Sequence, residues 1–294
     1  MILLIFFFLI ILIIFPKTVS ESVGITLIMC IKSIIPSLFP FSVISDLFLT
    51  LISNRTNYII KKISPLFNIS PVSFKIFLLS FFCGYPIGGK MVLNLYENRK
   101  ITEKEKDKLI IFANNAGPGF IISVLGGVLF QNAKIGIIIY ISHILASISF
   151  GILVSFLPVK TTESVFNKEE KTDFLNALSL SIKNSTASMI NICGVICFFS
   201  CVITLIDLIP FINTFKYKGI IFSFFEMTNA VKYISMSSLS LRLKVSLSAF
   251  CVTFGGFCVF MQLKTYSDKI KTASYFLGKL LCGAFAFIYC YYLI

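Results

Sequence analysis

Charged residues are scarce in this chain of 294 residues. They make up 13% of it, whereas a water-soluble domain contains about 25%. Hydrophobic residues make up 57%, and the mean hydropathy is +0.93. This composition excludes an ordinary soluble domain and indicates an integral membrane protein.

Metal ligands and catalytic groups are also few. The chain has one histidine, His143, and its nine cysteines include no pair with zinc-ligand spacing. Cys193, Cys197 and Cys201 share a helix face, where we expect packing or lipid contact. No acid pair at helical spacing and no Ser/Lys pair suits an intramembrane enzyme. We therefore expect a protein that is not an enzyme and holds neither a metal nor a cofactor.

Apolar runs long enough to span a bilayer recur along the chain, since about 20 residues cross the hydrocarbon. They predict an all-α, polytopic transmembrane helical bundle. Met1–Phe15 has no basic residue before it and no cleavage site after it, so we interpret it as a first membrane segment, not a signal peptide. The runs are Met1–Phe15, Val23–Ile52, Ile135–Leu157, Met189–Phe211 and Thr272–Ile294.

The net charge of +13 could suggest a nucleic-acid partner in a soluble protein. Here many lysines lie in short loops, as the positive-inside rule expects for a membrane protein. We therefore expect the lipid bilayer as a partner and no nucleic acid. Homo-oligomer formation stays open.

A mixed-charge segment, residues 158–173, divides the chain near its middle. "IKSIIPSLFPFSVI" from Ile31 resembles "IKNSTASMINICGV" from Ile182, and "LIIFANNAG" from Leu109 resembles "LSAFCVTFG" from Leu247. We predict a first membrane segment and loop (1–22), a repeat half (23–157), a linker (158–173) and a second half (174–294). Transporters built from such repeats bind substrate where the repeats meet.

Basic loops flank Phe74–Gly88 on both sides, which predicts a re-entrant hairpin there. Leu109–Phe130 would then cross the membrane outward. A second hairpin near Gly219–Met236 would lie on the opposite side, so that the two halves form an inverted repeat.

Three stretches rich in glycine interrupt apolar sequence: "CGYPIGGK" at Cys83, "NNAGPG" at Asn114 and "TFGG" at Thr253. Broken helices inside a bilayer are tolerated where the backbone is buried in protein or lines a polar cavity. The alternative is close helix packing through glycine. The first stretch fits the spacing of a nucleotide-binding phosphate loop, but Met91 replaces the required Ser or Thr, and the context is a membrane segment. We therefore favour a ligand cavity at the breaks.

Polar residues near these breaks suggest the ligand. Lys90 adjoins the first break and could attract an anion. Asn114 and Asn115 could hydrogen-bond a carboxylate or a ring nitrogen, or cap a helix. Glu226 could counter a lysine, hold a cation or take a proton. His143 could titrate, although a packing role is commoner for a lone histidine.

Several motifs resemble the YlbJ (SpoVV) family of sporulation integral membrane proteins, in the nucleoside-recognition or Gate group. They are "PSLFPF" at Pro36, "CGYPIGGK" at Cys83, "LYENRKITEKEKDKLIIFANNAGPGFI" from Leu95 and "FGGFCVFMQ" at Phe254. The resemblance covers roughly residues 15–294. In "EMTNAVK" the chain has Ala230 where the family usually has glycine.

The resemblance implies an endospore-forming bacterium and transport of dipicolinic acid towards the forespore, across the outer forespore membrane. A secondary transporter of a small organic anion is thus the leading hypothesis, and its coupling ion is open. A transporter of nucleosides or other neutral heterocycles is one alternative. A membrane scaffold for spore-envelope assembly that transports nothing is another.

The predicted substrate-binding residues come from the breaks of the first half and their counterparts in the second. They are Gly84, Tyr85, Gly88, Gly89, Lys90, Asn114, Asn115, Gly117, Pro118, Gly119, Glu226, Thr228, Asn229, Gly255, Gly256 and Gln262.

Overall fold

The computed structural model describes residues 2–51, 57–157 and 173–294. Within these ranges the chain is helical and contains no strand, which confirms the predicted all-α fold. The predicted linker lies outside the described residues, apart from Asp173 at its end.

Fifteen α-helices are defined in the described ranges, with two π-helical segments at Cys30–Ile34 and Gly119–Leu129. The α-helices are α1 (Ile2–Ile14), α2 (Pro16–Met29), α3 (Ile35–Leu51), α4 (Tyr58–Ile63), α5 (Pro71–Cys83), α6 (Ile87–Glu97), α7 (Glu103–Phe112), α8 (Ala133–Leu153), α9 (Phe174–Asp207), α10 (Pro210–Thr214), α11 (Lys218–Ser223), α12 (Met227–Met236), α13 (Leu241–Phe254), α14 (Gly256–Lys264) and α15 (Thr272–Leu293).

Five helical stretches in the described residues are long and apolar enough to cross a membrane, or six if the bent pair of residues 58–83 counts as one span. This supports the predicted polytopic membrane protein. Four stretches contain or closely match predicted apolar runs, whereas Leu241–Lys264 was not among those runs. The five are Pro16–Leu51, Ala133–Phe156, Phe174–Asp207, Leu241–Lys264 and Thr272–Leu293.

The N-terminal region differs from the prediction of a loop that extends to residue 22. Helix α2 begins at Pro16, directly after α1, so residues 16–22 are helical. Proline suits the first turn of a helix, because the N–H that it lacks would have no helical partner there. Helix α1 has 13 residues and is not among the five candidate spans.

The glycine-rich stretches interrupt helices in the structure. Gly84 separates α5 from α6, and Gly255 separates α13 from α14. Residues 109–130, predicted as a crossing that contains the break "NNAGPG", are split into the end of α7, a non-helical stretch at 113–117 and the second π-helical segment. Gly117 and Pro118 lie between the two helical parts, as expected for residues that interrupt a helix.

The helices from the two sides of the linker interlock. Helix α15 packs against α13 and also against α8 from the first half, while α3 packs against α9. The regions on either side of the linker therefore form one body, and the interrupted helices lie inside it.

We predict that Gly88→Ala destabilises the protein by about 3 kcal/mol or more, in line with overpacked cores. A Cβ atom at this position would lie 2.1 Å from the carbonyl oxygen of Ala113, which is backbone and cannot move aside. Thermal unfolding of purified protein measures the effect. The matched control is Gly194→Ala in α9, where a Cβ meets no atom within 4 Å; equal stabilities of the two variants would contradict the prediction.

Candidate solute-binding site

The two breaks of the first half lie directly against each other. A Cβ atom on Gly84 would lie 3.3 Å from the Gly117 nitrogen, and one on Gly117 would lie 3.1 Å from the Gly84 Cα. Gly84 also has φ +76°, a conformation that glycine adopts without strain. Glycine at both positions thus allows the turn after α5 to touch the non-helical stretch after α7.

In the second half, the break at Gly255 and Gly256 likewise contacts the turn between α11 and α12. At the start of α14, the N–H groups of Phe257 and Cys258 donate to the Phe224 and Phe225 carbonyl oxygens at 2.7 and 2.8 Å. A Cβ on Gly256 would lie 2.5 Å from the Ser223 oxygen. In each half, therefore, a glycine-containing break contacts the turn of the neighbouring helical hairpin.

Buried polar side chains join the breaks of the two halves. The Tyr85 hydroxyl donates to the Val252 and Thr253 carbonyl oxygens, each at 3.0 Å, at the end of α13. The Lys279 Nζ donates to the Tyr85 hydroxyl at 3.0 Å and to the Asn114 carbonyl oxygen at 2.6 Å. Lys279, which is 1% exposed, thus connects the first and second breaks from helix α15.

His143 makes a second connection between the halves. Its Nε2 accepts from the Ala116 N–H at 3.1 Å, so Nδ1 carries the proton and donates to the Thr253 hydroxyl at 2.7 Å. The side chain is fully buried. His143 therefore joins the second break to the end of α13, a role that the sequence did not reveal.

The amides of Asn114 and Asn115 bind other parts of the protein. Asn114 accepts from the Gly89 N–H and donates to the Tyr275 hydroxyl. Asn115 donates to the Phe112 carbonyl oxygen at 2.8 Å, which caps the end of α7. It also donates to the Ser80 hydroxyl and accepts from that of Ser147. Of the two predicted roles, substrate binding and helix capping, the contact of Asn115 with Phe112 is a helix cap. The remaining contacts link the two asparagines to neighbouring helices.

A small cavity of about 30 Å³ lies where these elements meet. Residues from both halves line it. The half before the linker contributes α3, Tyr85 and the second break at Ala116 and Gly117, and the half after the linker contributes α9, α12 and α14. Its lining residues are Ile34, Ser37, Leu38, Tyr85, Ala116, Gly117, Phe120, Ile192, Ile196, Glu226, Met227, Thr228, Cys258, Val259 and Gln262.

Five of the predicted residues line the cavity: Tyr85, Gly117, Glu226, Thr228 and Gln262. The other predicted residues do not. They build the surrounding backbone or lie in neighbouring contacts, and comprise Gly84, Gly88, Gly89, Lys90, Asn114, Asn115, Pro118, Gly119, Asn229, Gly255 and Gly256.

Glu226 caps a helix at the cavity wall. Its Oε1 accepts from the Thr228 N–H at 2.6 Å, and its Oε2 accepts from the Asn229 N–H at 2.8 Å. The Asn229 side-chain amide donates to the same Oε2 at 3.0 Å. The carboxylate therefore satisfies the free N–H groups at the start of α12 and contacts no lysine among the residues that the structure describes.

Gln262 is the lining side chain with unused hydrogen-bonding capacity. It is 4% exposed, and its Oε1 is buried without a hydrogen-bond partner. Its Nε2 donates to the Cys258 sulfur at 3.5 Å, so the amide oxygen is the group without a partner. Since buried polar atoms are nearly always satisfied, an amide in this state is suited to a ligand or water in the cavity.

Lys90 lies outside the cavity lining. Its Nζ is 3.5 Å from Asp46 Oδ1 and 3.2 Å from the Ser188 hydroxyl, and it sits 5.3 Å from the centre of the Tyr266 ring. The lysine next to the first break is therefore paired with a carboxylate of the chain itself.

The long apolar helices, the interrupted helices and the buried polar connections define a polytopic helical membrane protein with a small cavity between its two halves. The chain is similar to the sporulation integral membrane protein YlbJ of Bacillus subtilis (strain 168), with 23% identity over 93% of this chain and 77% of that protein. This similarity supports the assignment of the chain to the YlbJ family that the motifs predicted. No protein-family model matches the chain, and no solved structure matches it significantly.

We predict that His143→Ala lowers the free energy of unfolding by about 2–4 kcal/mol, because it leaves the buried Ala116 N–H without a partner and creates a cavity. Thermal or denaturant unfolding in detergent measures the change. Ile141→Ala, on an exposed part of the same helix, is the control; a loss of the same size in both variants would contradict the structural role of His143.

Proposed function

We propose that this protein is a secondary transporter that moves a small organic acid, dipicolinate, across a membrane during sporulation. The single observation that carries a transport role is the unsatisfied Gln262 amide, buried in a cavity that both halves line. Substrate sites in carriers with repeats lie at such a meeting of broken helices. The family resemblance supplies the identity of the solute and the outer forespore membrane as its location.

The arrangement of the breaks supports an inverted repeat. In each half a glycine break contacts the turn of a hairpin, Gly117 against Gly84 in the first and Gly256 against Ser223 in the second. The cavity lies between these two equivalent arrangements. Rocking of one half against the other would open it alternately to the two sides, as in other carriers of this kind.

The size of the cavity implies such a movement. Ligand pockets typically measure about 300–1,000 Å³, whereas about 30 Å³ is open here, enough for roughly one or two waters. The structure thus represents a closed state in this account, and the solute binds after the halves separate.

The charges around the cavity specify how an acid would be accommodated. Among the described residues that line it, Glu226 is the charged one, and Lys279 stands behind Tyr85. The negative charge of Glu226 would repel a dianion in the cavity. We therefore propose that the acid moves together with protons or a cation. Glu226, Thr228 and Gln262 would then contact its polar groups.

The same charges favour a second candidate, a neutral heterocycle such as a nucleoside. A largely apolar lining with one amide and the hydroxyls of Ser37, Tyr85 and Thr228 suits a neutral ring, and no charge compensation is needed. A scaffold without transport activity remains the third candidate, and it assigns no role to the Gln262 amide.

We predict that purified protein in liposomes accumulates or exchanges radiolabelled dipicolinate, and that unlabelled dipicolinate competes. The dependence of the rate on pH and on sodium identifies the coupling ion. Uptake of nucleoside without uptake of, or competition by, dipicolinate would favour the second candidate. Uptake of neither by correctly folded protein would contradict a carrier and favour the scaffold.

We predict that Gln262→Leu lowers the rate of dipicolinate uptake tenfold or more. The variant should remain folded and be as stable as the wild type or more stable. An unsatisfied buried amide lowers the free energy of unfolding by about 1–3 kcal/mol. Replacing it by an apolar side chain therefore removes a hydrogen bond to the ligand without destabilising the fold. Met261→Leu, at the exposed neighbouring position, is the control. Full uptake by Gln262→Leu, or a large loss of stability, would contradict the assigned role.

A further inference from the structure

We propose that Lys90 and its neighbours form a second, outer binding site for a carboxylate group, which the side chain of Asp46 occupies when no solute is present. The site would hold the solute before it reaches the cavity. This inference rests on the proposed function for the identity of the solute, but the chemistry of the site can be tested separately.

The contacts of Asp46 define the site as one built for a carboxylate. Its Oδ1 lies 3.5 Å from the Lys90 Nζ, and its Oδ2 accepts from the Asn184 Nδ2 at 2.9 Å. The Lys90 Nζ also contacts the Ser188 hydroxyl at 3.2 Å. A cation and an amide therefore bind the two oxygens of one carboxylate, which is how a solute carboxylate would also be held.

The site has hydrogen-bonding groups that Asp46 does not fully use. A charge-assisted hydrogen bond between an ammonium and a carboxylate is typically about 2.7–2.9 Å long, so the 3.5 Å separation of Lys90 and Asp46 is loose. The Tyr266 hydroxyl is buried near Ser188, yet no hydrogen bond of normal geometry reaches it. Ser185, on the buried face of α9, also has a hydroxyl without a partner. These groups could bind a better-placed acceptor.

The site adjoins the cavity along two helices. On α9, Ser188 lies four residues before Ile192, which lines the cavity; after α14, Tyr266 lies four residues beyond Gln262, which also lines it. Residues four apart in an α-helix lie on one face, about 6 Å apart along the axis, so Ser188 is about one turn from the cavity lining, while Tyr266 lies just past the end of α14. A solute held at Lys90 would thus need to move only about one helical turn to reach Gln262.

The site also lies towards the end of the protein that carries charged segments. Lys90 precedes the charged segment Glu97–Lys108 by two turns of α6. Just beyond Tyr266, Lys271 binds Asp107 of that segment at 2.7 Å. Lys90 and Asp46 are 20% and 15% exposed, so the pair is partly accessible.

A second aspartate–lysine–tyrosine cluster provides a contrast. Lys218 binds Asp207 Oδ1 at 2.7 Å, and the Tyr233 hydroxyl donates to Asp207 Oδ2 at 2.8 Å. This pair has short contacts and its tyrosine hydroxyl is satisfied. It therefore has the character of a structural ion pair, and its aspartate gives a control substitution with the same change of charge.

The test is equilibrium binding of dipicolinate, and of picolinate as a related monocarboxylate, to the full chain in lipid nanodiscs. Asp46→Asn should tighten binding about three- to tenfold, because it removes a competitor whose interaction with Lys90 is worth about 1 kcal/mol. Lys90→Gln should weaken binding tenfold or more, and Lys90→Arg should restore part of it. Tyr266→Phe, which removes one hydroxyl, should weaken binding a few-fold. Asp207→Asn should leave the affinity within about twofold.

Two results would overturn the inference: unchanged or weaker binding in Asp46→Asn, or unchanged binding in both Lys90→Gln and Tyr266→Phe. Unfolding midpoints verify that each variant is folded, and Tyr266→Phe keeps the test decisive if a charge variant is not. Tighter carboxylate binding in Asp46→Asn together with no dipicolinate uptake by wild-type liposomes would support the outer site and contradict the proposed function. Uptake of dipicolinate by wild-type protein, with no tighter binding in Asp46→Asn, would support the proposed function and contradict the outer site.

Discussion

The ammonium group of Lys279, bound to the Asn114 carbonyl oxygen and to the Tyr85 hydroxyl, exemplifies the constraint on which this structure depends. A helix that stops inside a membrane protein leaves N–H and C=O groups without helical partners, and each costs several kcal/mol if it remains unsatisfied in an apolar setting. Here the side chains of Lys279, Tyr85, His143 and Asn115 supply partners for these groups. These contacts lower the cost of interrupting helices inside the protein.

These hydrogen bonds also fix the position of the cavity. Tyr85 reaches from the first break to the end of α13, and His143 joins Ala116 to Thr253. Because both connections link the two sides of the linker, the breaks converge at one place inside the protein. The space left between them is lined by residues of both halves, among which Gln262 keeps an unsatisfied amide. The elements that satisfy the backbone and the elements that line the cavity thus belong to one arrangement.

Local features of the sequence predicted much of this fold. Low charge and long apolar runs predicted the helical membrane bundle, and the glycines at residues 84, 117 and 255 predicted the breaks. Leu241–Lys264 was missed as a span because Arg242, Lys244 and the glycine pair interrupt its apolar run. Proline and glycine also explain the interruption within residues 109–130 that "NNAGPG" predicted.

The site was harder to predict, because its contacts join residues far apart in sequence. Lys279 and Tyr85 are separated by 194 positions, and no periodicity or spacing connects them. Lys90 was predicted to meet substrate since it adjoins a break, but its partner is Asp46, on another helix. Glu226 was predicted to meet a cation, a lysine or a proton, but it caps its own helix. The intramembrane position of Lys279 was visible in the sequence, and only the fold revealed what it binds.

The most direct test of the account is an experimental structure of the protein in lipid with dipicolinate bound. The account predicts the solute between the two halves, in contact with the Gln262 amide and close to Tyr85 and Thr228, with the cavity enlarged and the contacts of Lys279 and His143 retained. A solute bound on the lipid-facing surface, or a cavity that stays closed and empty at saturating dipicolinate, would contradict it.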